Sequence, residues 1–129
     1  MRKLFLSAVL ICTAIAIVPT QTVMAQLQIN GTGNSTTVAE FQVAINDFLW
    51  ENPTVDVITI TGELTNTTNE SIWLDLPAGR RVVWQAEFYS AGSIVIRGTG
   101  FPNPTAGTFE IATGGKIQNT SMFGIAISI

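Results

Sequence analysis

The sequence predicts a small all-β domain folded as a solenoid, with one α-helix near its N-terminus. Residues 53–129 alternate apolar and polar side chains in short runs rich in Ile and Val, separated by turns of small residues. These runs recur at separations of roughly 15 to 20 residues, near the low end of solenoid periods, and begin at Ile58, Ile72, Ile94 and Phe109. Glycines follow strands where a tight corner favours them, at Gly62, Gly79 and Gly98. An antiparallel β-sandwich would bury the same strands and stays open as the alternative.

Residues 1–25 have the order of a cleavable secretory signal peptide. The basic head Met1-Arg2-Lys3 precedes an apolar stretch from Leu4 to Val18, and small residues follow at Val23 and Ala25. The apolar stretch is about 15 residues long, short of the roughly 20 that a transmembrane helix needs. We therefore expect cleavage after Ala25 and export, as a secreted or cell-surface protein of a bacterium.

The chain after this cut contains neither cysteine nor histidine. The only cysteine, Cys12, leaves with the signal, and lipid attachment to it is disfavoured because the preceding Ile11 is large. No disulfide can then form, and the usual ligands for zinc, copper and haem are lacking. A Ser/His/Asp triad is impossible for the same reason. We predict no cofactor, no metal site and no catalytic residue.

The mature chain is also acidic. Two of the six basic residues, Arg2 and Lys3, lie in the signal, which leaves four against nine acidic residues and a net charge of −5. Nucleic-acid binding needs a basic face to neutralise phosphates, and docking to anionic lipid needs one too. We predict no nucleic-acid partner and no membrane span after signal cleavage.

The first elements of the mature chain are a polar lead-in and a helix. Residues 26–36 are expected to be a loose lead-in or a short edge strand outside the core. Thr37 and Glu40 match a capping box, and Asn52-Pro53 ends the segment, so 37–52 is a capping helix with its helical residues at 38–51. Its apolar stripe recurs at three- and four-residue spacing, and consists of Val38, Phe41, Ala44, Ile45, Phe48 and Leu49.

The strands follow at a period of two. The residues expected to face inward are Ile58, Ile60 and Leu64 in the first strand and Val82, Trp84, Ala86 and Phe88 in a strand over 80–89. A polar turn separates the first strand from a strand over 72–76. Further strands are predicted at 93–97, 109–111, 116–118 and 124–129.

The candidate binding residues are two aromatic side chains on the polar side of their strands, Trp73 and Tyr89. Exposed aromatic rings are platforms for sugar rings, so both are candidates for glycan stacking, against the simpler possibility that they cover a loop. Trp50, at the helix end, is expected to pack.

The outward acidic residues and the asparagines of the chain are interpreted as structural rather than functional. The outward acids Asp75, Glu87, Glu110 and Glu63 could form an acid–base pair on a glycosidic bond, but solvated surface charge is the favoured interpretation. The asparagines of four Asn-x-Ser/Thr triplets are predicted to be turn residues that bond to the local backbone; they are Asn34, Asn66, Asn69 and Asn119.

Residues 37–46 followed by 56–62 resemble the opening of a secreted right-handed parallel β-helix of the pectin-lyase-like kind. The segment 98–100 leading into 109–111, and then 114–119, resembles the rungs of bacterial surface and adhesin-like members. The resemblance spans about residues 36–129 and implies an N-terminal helix that plugs the open end of the coil. Lyases of this family hold calcium with acids and abstract a proton with a basic residue, a role that Arg97 or Lys116 could take.

The leading functional hypothesis is a non-catalytic, secreted or cell-surface β-solenoid scaffold, adhesin-like, with weak contact to an extracellular glycan or surface polymer. One alternative is the N-terminal fragment of a polysaccharide lyase or glycoside hydrolase, and another is a carbohydrate-binding β-sandwich. The apolar run up to Ile129 carries no polar cap. We therefore expect either a longer protein or self-association through this end.

Overall fold

The computed structural model describes residues 26–100, 105–122 and 124–128. The predicted signal peptide, residues 1–25, lies outside the described residues. The described chain is mostly β, as predicted. Its elements are β1 (Leu27–Ile29), β2 (Thr32–Ser35), α1 (Val38–Glu51), β3 (Val57–Asn66), β4 (Ile72–Leu76), β5 (Arg81–Trp84), β6 (Glu87–Ser90), β7 (Ile94–Gly98), β8 (Thr108–Ile111), β9 (Lys116–Asn119) and β10 (Ile127–Ser128).

The lead-in is a β-hairpin that belongs to the core. β1 and β2 pair antiparallel around Asn30-Gly31, whose φ angles of 49° and 73° are those of a type I′ turn. β1 then pairs antiparallel with β3. Leu27 is 0% exposed and Ile29 is 6% exposed, so the expectation that this segment lies outside the core was wrong. The Asn-Gly pair was the signal for this hairpin in the sequence.

Helix α1 has the predicted bounds. Thr37 adopts extended backbone, and its hydroxyl accepts a hydrogen bond from the Glu40 N–H at 3.1 Å. The Glu40 carboxylate turns back to the Thr36 N–H and hydroxyl, both at 2.8 Å, one residue before the predicted partner. The predicted stripe packs inward: Val38, Phe41 and Ile45 are buried, and the other members are packed against the core.

Arg80 holds the other end of the helix. Its side chain is buried, and its guanidinium donates hydrogen bonds to the carbonyl oxygens of Leu49 and Asn52. These carbonyls lie at a helix C-terminus, where backbone acceptors have no partner within the helix and a cation is favoured.

From β3 onward, three successive segments pair with one another in parallel. The first segment holds β3 and β4, the second holds β5, β6 and β7, and the third holds β8, β9 and β10. Sheet A joins the first half of β3 to β5 and β5 to β8. Sheet B joins the second half of β3 to β6 and β6 to β9. Sheet C joins β4 to β7 and β7 to β10. Every segment therefore contributes to all three sheets.

β3 passes from sheet A to sheet B at Gly62. This residue has a φ of 103°, and a Cβ at this position would lie 2.0 Å from the Gln26 carbonyl oxygen. Only glycine fits because the backbone is left-handed and β1 approaches closely. The corner predicted at Gly62 is confirmed.

The inward side chains stack in register from segment to segment. Sheet A stacks Ile58 on Val82 and Phe109, sheet B stacks Leu64 on Phe88 and Ile117, and sheet C stacks Ile72 on Ile94 and Ile127. All seven residues predicted to face inward in the first strand and in the strand over 80–89 are buried; they are Ile58, Ile60, Leu64, Val82, Trp84, Ala86 and Phe88.

Two details of the strand prediction were wrong. The predicted strand over 80–89 is two strands, because the chain turns from sheet A to sheet B between Trp84 and Glu87 while keeping Ala86 inward. The repeat is also longer than predicted, since Ile58 aligns with Val82, 24 residues later. Ile58 and Ile72 begin strands of different sheets within one segment, so their spacing is not the period.

A polar corner follows sheet B in all three segments. Asn66, Ser90 and Asn119 align in register. Asn66 Nδ2 donates to Ser90 Oγ at 3.0 Å, and Asn119 Nδ2 donates to the Gly92 carbonyl oxygen at 2.9 Å. Asn66 and Asn119 also bond to the local backbone, as predicted: Asn66 Oδ1 accepts from the Thr68 N–H at 3.2 Å, and Asn119 Oδ1 accepts from the Ser121 N–H at 2.8 Å. Asn34 differs, since its Oδ1 accepts a hydrogen bond from the Gln28 side chain rather than from local backbone.

Candidate functional site

Trp73 projects from the outer face of β4 and is 42% exposed. The Arg97 guanidinium lies 4.7 Å from the centroid of its ring, within the range of a cation–π interaction. The Asp75 carboxylate fixes this arginine by accepting hydrogen bonds from Nε at 2.7 Å and from Nη2 at 2.9 Å. The arrangement follows from the register, because Asp75 and Arg97 are neighbours across β4 and β7.

The backbone of Trp73 is held by the helix. The Trp73 N–H donates to Gln42 Oε1 at 2.6 Å, and Gln42 Nε2 donates to the Trp73 carbonyl oxygen at 2.9 Å. β4 is the outer strand of sheet C, and an unpaired strand edge exposes donors and acceptors that invite other strands. One glutamine amide thus closes the middle of this edge and fixes α1 against β4.

Tyr89 lies in a second charged cluster, on the outer face of β6. Its hydroxyl donates to the Glu87 carboxylate, and Lys116 Nζ lies 4.9 Å from the ring centroid. Glu63, Glu87 and Lys116 are aligned across sheet B. Trp73 and Tyr89 belong to different sheets, so the structure gives two separate aromatic positions rather than one platform.

Two of the four outward acids pair with arginines. Asp75 pairs with Arg97, and Glu110 lies 3.5 Å from Arg81. Within residues 26–100, 105–122 and 124–128, no three His, Cys, Asp or Glu side chains are grouped so that they could hold a metal ion. Asp75 and Glu110 therefore have a structural explanation as members of surface ion pairs, each of which contributes little to stability.

Trp50 does not pack, contrary to the prediction. Its side chain is 86% exposed. Trp50 follows the buried Ile45 by five residues, which is about 140° around an α-helix, so it points away from the apolar stripe. The helical period alone was the signal that this tryptophan is exposed.

Trp50 borders a shallow groove of about 300 Å³ between α1 and the end of β4. The groove is lined by Asn46, Leu49, Trp50, Asp75, Pro77 and Arg80. Trp73 lies two residues before Asp75 on the same outward face of β4, since side chains alternate along a strand. The structure thus brings Trp73 and Asp75 to one side of the molecule with Trp50.

No protein-family model, no curated protein and no solved structure matches the chain. In the described part of the chain, no helix has the length and apolar character needed to cross a membrane.

Proposed function

We propose that the chain is an exported, non-catalytic scaffold built as a short right-handed parallel β-helix of the pectin-lyase-like kind, with weak glycan contact at its surface. The observation that carries this proposal is the in-register parallel pairing of three successive segments in sheets A, B and C. Antiparallel pairing joins β1 to β2 and to β3, so it supports a terminal hairpin. A sandwich would use it throughout.

The position of α1 supports the role of an end plug. The helix packs its apolar stripe into the core beside β1, β2 and β4, and Gln42 occupies the edge of β4. A solenoid requires such a cover because its terminal repeat would otherwise expose an apolar face and unpaired backbone.

The outer surfaces support a scaffold more than an enzyme. Asp75 and Glu110 are engaged by arginines, and Glu87 accepts the Tyr89 hydroxyl. A general acid–base pair would instead need one carboxyl kept protonated beside one kept ionised. Asp75 and Glu110 are each held by an arginine instead, and Glu87, the neighbour of Glu63 across sheet B, is bonded to the Tyr89 hydroxyl.

Two measurements test the proposal. In solution NMR, we expect cross-strand contacts between the backbone of Ile58 and Val82 and between Leu64 and Phe88, with the parallel pattern; antiparallel contacts would exclude the fold. Incubation of the protein with polygalacturonate and calcium is expected to yield no unsaturated sugar, as read by ultraviolet absorbance. Turnover that Arg97→Ala or Lys116→Ala abolishes would establish a lyase instead.

A further inference from the structure

We infer that the groove between α1 and β4 binds a neutral pyranose glycan, with the Trp50 indole as its stacking surface and Trp73 flanking it. This inference rests on the glycan contact in the proposed function and assigns it a site. The main observation is the exposure of Trp50: an indole that is 86% exposed contributes little to the stability of the fold and is free to contact a ligand. Large rigid aromatic rings with one polar handle are enriched at binding interfaces, and ligand pockets are lined mostly by apolar and aromatic side chains.

The groove supplies hydrogen-bonding groups beside this ring. Asn46 lines it, and its Oδ1 accepts from Gln42 Nε2 at 3.1 Å, which leaves the two amide N–H donors for ligand hydroxyls. Asp75 lines it as well. A carboxylate offers about four acceptor positions, and Arg97 occupies one on each oxygen. An aromatic face beside an amide and a carboxylate matches a sugar ring, which has an apolar face and a rim of hydroxyls.

The charges select a neutral sugar over a polyuronate. Arg97 is bound by Asp75, and Arg80 donates to the carbonyls of Leu49 and Asn52. Helix α1 itself carries three acids and no basic residue. A uronate carboxylate would therefore find no uncommitted guanidinium in the groove.

The size of the groove matches a small ligand. Its volume of about 300 Å³ is at the lower end of ligand sites. One or two sugar rings of a longer chain match this space.

The test is a calorimetric and NMR titration of the full-length chain, expressed with its own export signal, with cellohexaose, mannohexaose, chitohexaose and hexagalacturonate. We expect at least one neutral oligosaccharide to bind more tightly than hexagalacturonate. Trp50→Ala is expected to weaken that binding about tenfold, the size of one good aromatic contact, and Trp73→Ala to weaken it less. Val43→Ala is the matched control, because Val43 is exposed on the same helix but does not line the groove, and it should leave the affinity unchanged. Tyr89→Ala, in sheet B, tests the other candidate position. Unchanged amide spectra away from the substitution establish that each variant is folded.

Each other outcome is decisive. If Tyr89→Ala abolishes binding and Trp50→Ala does not, this site is wrong while glycan contact stands. If none of the four oligosaccharides binds, both the site and the glycan contact are wrong, and the scaffold is still judged by its strand pairing. If hexagalacturonate binds best, the inferred ligand class is wrong. If Trp50→Ala changes the oligomeric state measured by light scattering, a second copy of the chain occupies the groove instead.

Discussion

The three segments place side chains at the same register positions, but the side chains of the third segment are less buried than those of the first two. In sheet A, Ile60 and Trp84 are 0% exposed, whereas Ile111 at the equivalent position is 46% exposed. Ile125 and Met122, near β10, are 65% and 89% exposed. The first segment is covered by the hairpin and α1, and the second lies between its neighbours. Burial in this fold is therefore set by the segments on either side more than by a strand's own sequence.

The largest effect is expected at the centre of the stack. Trp84 has ring-centroid distances of 6.3 Å to Phe41, 6.2 Å to Phe88 and 5.9 Å to Phe109. Trp84→Ala should lower the free energy of unfolding by about 3–5 kcal/mol, measured by urea denaturation. Ile111 is aligned with Trp84 on the neighbouring strand β8. Ile111→Ala should lower the free energy of unfolding by less than about 1 kcal/mol, because about half of the residue is already exposed to water. Equal costs would contradict the comparison.

The second prediction compares the cost of adding one methyl group beside β1, at Gly62, with the cost of adding one in the third segment, at Gly114. At Gly62 a Cβ would meet the Gln26 backbone oxygen at 2.0 Å, whereas at Gly114 the nearest atom is 4.0 Å away. Both residues have positive φ, 103° and 89°. Gly114→Ala should therefore cost only the backbone strain, about 1–2 kcal/mol. Gly62→Ala should cost more, about 3 kcal/mol, because β1 must also move. Urea denaturation with matched m-values measures both, and a smaller cost at Gly62 would contradict the close approach of β1.

The third prediction concerns the hydrogen bonds that Arg80 donates to the C-terminal end of α1. Arg80→Met keeps the buried stem but removes the donors to the Leu49 and Asn52 carbonyls, and should destabilise the protein by about 2 kcal/mol. The neighbouring Arg81, half exposed and paired with Glu110 at 3.5 Å, is the control. Arg81→Met should change the stability by less than about 0.5 kcal/mol. The prediction is wrong if the two variants unfold alike.

The sequence predicted local structure better than it predicted neighbours. The helix bounds and the inward residues of β3, β5 and β6 follow from periods of 3.6 and 2, which depend on the chain alone. The burial of Arg80 could not be predicted, because it depends on where the loop after β4 meets the helix end. The ring contacts of Trp73 and Tyr89 also depend on which strands are neighbours, since Arg97 and Lys116 reach them from adjacent strands. The groove beside Trp50 could not be predicted either, because it depends on how α1 is placed against β4.

The smallest effect is a pH dependence at the start of α1. The Thr36 N–H and hydroxyl donate hydrogen bonds to the Glu40 carboxylate and lower its pKa below the ordinary value of a glutamate. A carboxyl with a lower pKa in the folded state contributes stability above its unfolded pKa and loses it as the pH falls through the folded value. Glu40→Gln should therefore be less stable than the wild type at neutral pH, and the difference should shrink as the pH falls below the ordinary Glu pKa of about 4.3 and through the lower folded value. Thermal unfolding from pH 3 to pH 7 measures this, with the exposed Glu51→Gln as the control. A difference between wild type and Glu40→Gln that persists at pH 3 would mean that the cap acts through packing rather than through the ionised carboxylate.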